Sequence, residues 1–147
     1  MIDDFRGRHY FLSNFYRHPV RIGRDVYPTA EHAYQALKAV DLRDRAWVIS
    51  SETPLIAKRR GRKVRIVPYW GYVRVFVMRQ VLEAKFSDRD LADRLVATCP
   101  HALVEGNTWH DDFWGDCRCS RCPGDGANML GVTLMELRDM LCWIARH

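Results

Sequence analysis

The order of apolar and polar residues predicts six helices and one β-hairpin. Residues 20–27 alternate in polarity on either side of a turn signal at Gly23, which is typical of a hairpin. Residues 70–86 contain a short strand-like alternation, but apolar residues over the longer window recur with helical spacing, and the length favours a helix. Near the C-terminus, apolar residues step by four and three and predict a core stripe: Leu130, Leu134, Leu137, Leu141 and Ile144.

The other helix starts are marked by residues whose side chains can cap a first turn. These are Thr29, for a helix through Ala39; Asp41, for one over about 42–49; Thr53 before Pro54, for one ending at Gly61; Ser87 or Asp88; and Asn128. Residues 100–127 are irregular and rich in Gly, Cys and Asp. The pattern predicts one mainly α domain over residues 1–147, with a small N-terminal β-hairpin.

The helix behind Thr29 places Glu31, Gln35 and Lys38 on one face, because these positions are spaced by one helical turn. That face presents a carboxylate, an amide and an ammonium in a row. Two interpretations are open. The row is either a solvated Glu–Lys stripe on a surface helix, which is a common pattern, or a set of catalytic side chains.

Composition narrows the class of protein. The chain is 48% hydrophobic and 28% charged, as expected for a globular domain. No apolar run approaches the length of a membrane span, and the N-terminus lacks the pattern of a signal peptide. We therefore expect a cytoplasmic protein with no membrane partner. No pattern specifies an oligomeric state.

The charge is biased toward arginine. Net charge is +5, carried by nineteen arginines and four lysines, which suits an anionic partner such as nucleic acid, nucleotide or phosphate. Residues 58–65, the basic stretch, contain six basic residues in eight. This stretch is either a solvated loop or a surface that faces phosphate.

Five cysteines, an odd number in a chain without a signal pattern, argue against a disulfide framework. The spacing of Cys117, Cys119 and Cys122 would let them fill three corners of a tetrahedral zinc site. The fourth ligand would come from one of three residues: Cys99, His101 or His110. The alternative, which the sequence favours, is a set of free thiols in a mobile loop. We expect no metal or other cofactor in the chemistry, because carboxylates and an amine suffice for it.

Short motifs in a fixed order resemble the NADAR domain family of YbiA-like proteins. They are Phe11-Leu12-Ser13-Asn14-Phe15, Tyr27-Pro28-Thr29-Ala30-Glu31-His32 through Lys38, Trp70, Lys85-Phe86, Leu103-Val104-Glu105, Trp109-His110-Asp111, Phe113-Trp114-Gly115 and Asn128-Met129-Leu130-Gly131. The ordered set carries the resemblance, since no single piece is specific. The cysteines at 117–122 depart from the family pattern. The resemblance implies an orthogonal multihelical bundle and an N-glycosidase that acts on ribosylamine-type bonds.

The resemblance also implies site residues and two substrate classes. The predicted catalytic residues are Glu31, Lys38 and Asp111, and the predicted substrate-binding residues are Asn14, Phe15, Trp70, Lys85, Trp114, Gly115 and Asn128. One substrate class is ADP-ribose attached to guanine in DNA or a nucleotide, whose removal would be an antitoxin, counter-defence or repair activity. The other is the small phosphorylated ribosylamines of riboflavin biosynthesis. The basic stretch and the net charge favour ADP-ribosyl guanine. A non-catalytic binder of ADP-ribose or nucleic acid is a third possibility.

Several of these residues also have a second interpretation. Cleavage of a ribosyl C–N bond builds positive charge at the anomeric carbon, which a carboxylate stabilises. Lys38 would either capture the ring-opened sugar as an imine or act electrostatically. The tryptophans either stack on the base or fill the core, and Asn128 either caps its helix or presents backbone N–H groups to a phosphate.

Overall fold

The computed structural model describes residues 1–147 and confirms a mainly α fold with a small N-terminal hairpin. The helices are α1 Ala30–Leu37, α2 Leu42–Ile49, α3 Pro54–Gly61, α4 Trp70–Lys85, α5 Arg89–Val96 and α6 Met129–Arg146. The strands are β1 Arg17–Ile22, β2 Asp25–Thr29, β3 Gly106–Asn107 and β4 Asp116–Cys117. A 3-10 helix covers Gly7–Leu12. None of the helices combines the length and the apolar character that crossing a membrane requires.

The chain divides into two compact units. The central unit is Asn14–Lys85, and the terminal unit combines Met1–Ser13 with Phe86–His147. Each unit has its own helices and its own two-stranded sheet. That the whole chain acts as one domain stays a prediction.

The central unit is built around α1. Strands β1 and β2 pair antiparallel with Val20 opposite Tyr27, and the turn between them uses Gly23 at φ +61°, where glycine carries no steric penalty. Thr29 Oγ1 then accepts the His32 N–H and starts α1 as a side-chain cap. Small residues bring neighbouring elements close to this helix, since Ala33 and Ala36 are fully buried.

The terminal unit contains α5, α6 and the parallel pair β3–β4. Asp88 Oδ1 accepts the Leu91 N–H and caps α5. On α6 the predicted core stripe is confirmed for Leu130, Leu134 and Leu137, which are buried. It is wrong at the end of the helix, where Ile144 is 56% exposed.

Three helix ends differ from the sequence-based expectation. Asp41 precedes α2 as predicted, but its side chain makes no capping hydrogen bond. Helix α1 ends at Leu37 rather than Ala39, because Ala39 leaves the helix to form a β-bridge with Ile66. The expectation that the Asn128 side chain caps α6 is wrong. Asn128 adopts a left-handed conformation with φ +51°, which directs its side chain away from the first turn of the helix.

Candidate active site

The side chains of Glu31, Gln35 and Lys38 form a hydrogen-bonded row along α1. Gln35 Nε2 donates to Glu31 Oε1 at 2.9 Å, and Lys38 Nζ donates to Gln35 Oε1 at 3.4 Å. Glu31 and Gln35 are each only 7% exposed, and Lys38 is half-buried. The interpretation as a solvated surface stripe is therefore wrong. A buried carboxylate and a half-buried amine, joined by one amide, are unusual for a residue pair that serves solubility alone.

The N-terminal end of the row is fixed by Asn14. The carbonyl oxygen of Asn14 accepts the backbone N–H of Glu31 at 3.0 Å, so the segment before the hairpin holds the first turn of α1. Asn14 Nδ2 donates to Met78 Sδ at 3.3 Å. Asn14 Oδ1 is buried without a hydrogen-bond partner in the protein. A buried amide oxygen without a partner is costly, which makes it a candidate acceptor for a substrate donor.

Gly61 leaves the space that the Gln35 side chain occupies. A Cβ at position 61 would overlap the Gln35 amide and would lie 3.1 Å from the Gln35 Cβ. Because Gly61 has no side chain, the last residue of α3 can approach α1 closely. The sequence predicts Gly61 as a helix end, but no sequence pattern indicates that it also leaves space for Gln35.

The surroundings of Lys38 lower the pKa of its ammonium group. Burial lowers the pKa of the Lys38 ammonium, Glu31 raises it, and Arg62 lowers it, with a net fall below the ordinary value of 10.5. A lowered pKa increases the fraction of unprotonated amine, the form that attacks a carbon. The same balance indicates that Arg62 lies close enough to affect Lys38.

Two aromatic rings pack beside α1. The ring centroids of Tyr34 and Trp70 are 5.3 Å apart, at an interplanar angle of 48°. Tyr34 is buried, whereas Trp70 keeps part of its surface accessible. This partial exposure suits a tryptophan that both packs on a neighbour and offers area for stacking.

Lys85, the last residue of α4, is fully buried. Its Nζ lies 5.7 Å from the centroid of the Tyr16 ring, within reach of a cation–π interaction. Phe15, the residue before Tyr16, is half-buried. The central unit therefore holds six of the predicted site residues: Asn14, Phe15, Glu31, Lys38, Trp70 and Lys85.

His32 is a core histidine. It is fully buried, with Nδ1 2.7 Å from Thr29 Oγ1 and Nε2 2.9 Å from the Ser51 carbonyl oxygen. Because a carbonyl only accepts, Nε2 carries the proton and donates. Burial lowers the pKa of the His32 imidazole more than the bond to Ser51 raises it, so the ring is held neutral. It ties α1 to the segment before α3.

Asp111 lies in the terminal unit, where its carboxylate organises a turn. Oδ1 accepts the N–H of Trp114 at 2.9 Å and that of Phe113 at 3.2 Å. The Asn107 side chain binds both the N–H and the carbonyl oxygen of Asp111. The Asp111 carboxylate therefore has a structural role whatever else it does.

Trp114, Gly115 and Asn128 belong to the same part of the terminal unit. Trp114 packs edge-to-face on Phe113, with ring centroids 4.8 Å apart. Gly115 is a close-approach position, since a Cβ there would overlap the Glu105 carbonyl oxygen. Its own carbonyl accepts the Asn128 N–H at 3.1 Å.

The side chain of Asn128 bridges two backbone groups in the preceding strand region. Nδ2 donates to the Leu103 carbonyl, and Oδ1 accepts the Glu105 N–H, both at 2.9 Å. The N–H groups of Met129 and Leu130 donate to the carbonyls of Phe113 and Trp114. These N–H groups are engaged within the unit, which argues against a phosphate site at the start of α6.

One group of side chains in the terminal unit could hold a metal ion. It comprises Cys117, Cys119 and Cys122 together with His110. Of the three candidates for a fourth ligand, the structure therefore brings His110 to the cysteines.

Comparison with known proteins identifies the family. A model of the NADAR domain matches residues 3–142, nearly the whole chain. The chain belongs to the NADAR domain family. The N-glycosidase YbiA of Escherichia coli (strain K12) is 40% identical over 134 residues, covering 88% of this chain and 80% of that protein. The NMR structure of the E. coli protein YbiA aligns with a TM-score of 0.84 at 34% identity and covers all of this chain and 90% of that one. This likeness confirms the YbiA-like fold of this NADAR protein.

A second kind of relative is longer. A riboflavin biosynthesis protein of Vibrio vulnificus (strain YJ016) is 36% identical over 136 residues. The alignment covers 90% of this NADAR chain but 36% of that protein. The NADAR domain thus also occurs as part of a larger chain.

Proposed function

We propose that this protein is an N-glycosidase that removes ADP-ribose from guanine, in DNA or in a nucleotide. Membership of the NADAR family and the N-glycosidases among its relatives make the chain an enzyme that hydrolyses N-glycosyl bonds. The observation that carries the chemistry is the hydrogen-bonded row of buried Glu31, buried Gln35 and half-buried Lys38. A protein that only binds its ligand has no need to bury a carboxylate and an amine together.

Glu31 is the proposed acid–base residue. As the C–N bond breaks, positive charge develops at the anomeric carbon, and a nearby carboxylate lowers the energy of that state. The leaving guanine nitrogen must gain a proton, and water must deliver a hydroxyl group to the sugar. The hydrogen bond from Gln35 keeps the Glu31 carboxylate in one orientation.

Lys38 is the proposed nucleophile. In the ring opening of the ribosylamine, the nitrogen lone pair pushes out the ring oxygen, and that oxygen takes a proton from Glu31. The opening exposes an electrophilic carbon. Attack by neutral Lys38 Nζ forms a C–N bond to that carbon, and the guanine nitrogen leaves with a proton. Water then hydrolyses the resulting imine, which releases the sugar as an aldehyde and restores the amine. Desolvation supports this role by lowering the pKa of Lys38.

The basic stretch supports the choice of ADP-ribosyl guanine. Arg59, Arg62, Lys63 and Arg65 are exposed, on and after the last turn of α3, which packs against α1. ADP-ribose carries a pyrophosphate and DNA adds further phosphates, so cationic side chains near Lys38 suit this substrate. Arg60 has a different role, because it donates to the Trp47 carbonyl at 2.7 Å and stacks on the Trp47 ring.

The second candidate substrate is a ribosylaminopyrimidine phosphate of riboflavin biosynthesis. The name of the Vibrio vulnificus relative favours it. The same row would cleave either substrate, because both have a ribosyl C–N bond. The two candidates differ in charge, since the pyrimidine intermediate has one phosphate.

The deciding experiment measures kcat/KM of the pure protein on both substrates in parallel. We expect release of free ADP-ribose from ADP-ribosylated guanine DNA, at a higher kcat/KM than for the pyrimidine phosphate. Glu31→Gln is the matched control for contaminating activity. A preference for the pyrimidine phosphate would overturn the choice of substrate. Tight binding of ADP-ribosyl guanine without any product would overturn the enzyme assignment.

A further inference from the structure

Four side chains of the terminal unit converge on one point. The ligand atoms of His110, Cys117, Cys119 and Cys122 all lie within 4.8 Å of one another. His110 Nδ1 is 3.2 Å from Cys119 Sγ and 3.4 Å from Cys122 Sγ. A tetrahedral zinc ion with sulfur ligands at ~2.3 Å and nitrogen at ~2.05 Å would separate sulfur from nitrogen by about 3.5 Å. The observed separations are close to this value.

The backbone around the cysteines fits a metal site as well. Cys117 is fully buried. The Cys117 N–H donates to Asp112 Oδ1 at 2.9 Å. His110 adopts φ +67°, which is uncommon for a residue other than glycine. Strained residues of this kind are concentrated at binding sites.

We propose that His110, Cys117, Cys119 and Cys122 form a structural zinc site. Three thiolates and His110 Nδ1 complete a tetrahedral shell, a common composition for structural zinc. A full shell of four protein ligands leaves no open position for water, so the ion supports the fold rather than the chemistry. None of the four ligands is one of the proposed hydrolytic residues, Glu31 and Lys38, and the proposal does not depend on which substrate the protein cleaves.

Binding requires a change at His110. Arg121 Nη2 lies 2.7 Å from His110 Nε2, and because a guanidinium only donates, Nε2 accepts in this arrangement. Nδ1 then carries the ring proton and donates to sulfur. Zinc at Nδ1 displaces that proton, Nε2 becomes the protonated nitrogen, and Arg121 must move off it. The tautomer of His110 therefore reports on the metal.

Zinc binding would stabilise the segment between His110 and Cys117. This segment carries Asp111 and Trp114, and the zinc ion would anchor it at both ends. The loss of one ligand would loosen the turn that Asp111 Oδ1 holds. The zinc ion would thus stabilise the turn that contains Asp111 and Trp114.

The test begins with metal analysis of the full chain, purified under reducing conditions without chelator. We expect one zinc per chain in the wild type and in Cys99→Ser, whose cysteine is exposed and outside the cluster. Cys119→Ser should lose the zinc. Cobalt added to metal-free protein should give the visible d–d bands of a tetrahedral ion and a thiolate charge-transfer band.

Further variants keep the test decisive if Cys119→Ser does not fold. His110→Asn tolerates the left-handed backbone but removes the ring, and should weaken zinc binding at least ~10-fold in competition with a chelating dye. His110→Cys should keep the ion and strengthen the charge-transfer band. In the wild type, zinc should raise Tm and move the His110 ring proton from Nδ1 to Nε2 in nitrogen NMR. Absence of bound zinc, no tetrahedral cobalt spectrum and an unchanged Tm would overturn the proposal.

Discussion

Gln35 Nε2 donates to Glu31 Oε1 at 2.9 Å, one helical turn along α1. The other end of the same amide faces Lys38, so Gln35 separates the carboxylate from the ammonium while orienting both. A direct ion pair would hold Lys38 protonated more strongly. The amide bridge therefore keeps the acid–base group and the amine close together, while burial lowers the pKa of the amine.

Glu31→Gln should keep the fold and lose at least ~100-fold in kcat, the usual scale for removing a positioned acid or base. The neutral amide still fills the space beside Gln35, so circular dichroism and Tm should change little. Steady-state hydrolysis is the measurement. Near-normal turnover by the variant would remove Glu31 from the chemistry.

Lys38→Ala should be equally impaired. If the imine forms, borohydride added during turnover should trap a sugar adduct on Lys38 of the wild type and none in the variant, as read by mass spectrometry. The pH profile should show kcat/KM rising as Lys38 loses its proton, with an apparent pKa below the ordinary 10.5. An adduct on Lys85 would contradict the assignment.

Local sequence patterns predict where the helices begin, but they do not predict contacts with residues far away in the sequence. Thr29, Thr53 and Asp88 all accept the capping hydrogen bond that the sequence predicted, because a cap depends on residues within one turn. Asn128 does not, because Leu103 and Glu105, far away in sequence, compete for its amide. The fourth ligand of the cysteine cluster was equally undetermined, since the irregular path of residues 100–127 has no periodicity to follow.

The sequence also could not predict that the row on α1 is largely buried. Helical spacing placed Glu31, Gln35 and Lys38 on one face, which the structure confirms. Whether that face meets solvent depends on Asn14 and on the approach of α3 at Gly61. A Glu–Lys spacing alone does not distinguish a solvated surface stripe from a row that other elements cover.

Gly61→Ala tests whether the row on α1 depends on the space that Gly61 of α3 leaves for the Gln35 side chain. The added Cβ would overlap the Gln35 amide and force it off Glu31 and Lys38. We expect a loss of about 1–3 kcal/mol in the free energy of unfolding, typical of overpacking, together with a fall in kcat. Gly71→Ala is the matched control, because nothing lies within 4 Å of a Cβ there. Equal activity of the two variants would show that the Gln35 bridge is dispensable.

Asp111 variants separate a structural from a chemical role. Asp111→Asn keeps an oxygen that can accept the N–H groups of Phe113 and Trp114, whereas Asp111→Ala removes it and should cost about 1 kcal/mol in stability. If the carboxylate takes part in the reaction, Asp111→Asn should lose kcat while its Tm stays near the wild-type value. Full activity of Asp111→Asn would leave the turn as the only role of this residue.

The basic stretch provides the test of a DNA substrate. Arg59, Lys63 and Arg65 are exposed, and their side chains, unlike that of Arg60, make no hydrogen bond within the protein that a substitution would break. If they contact the DNA backbone, the apparent affinity should fall steeply with salt through counterion release. Replacing all three by Gln should weaken DNA processing and flatten this salt dependence, while cleavage of a free ADP-ribosyl nucleoside stays unchanged.

The matched control removes the same charge elsewhere in the central unit, at the exposed residues Arg21, Arg24 and Arg43. This control separates a specific contact from the general field of the protein, because the net charge falls equally in both variants. We expect the control to retain most of the wild-type kcat/KM on DNA. Equal losses in the two variants would assign the salt dependence to net charge. Loss on the nucleoside as well would place the basic stretch at the pyrophosphate of ADP-ribose instead of at the DNA backbone.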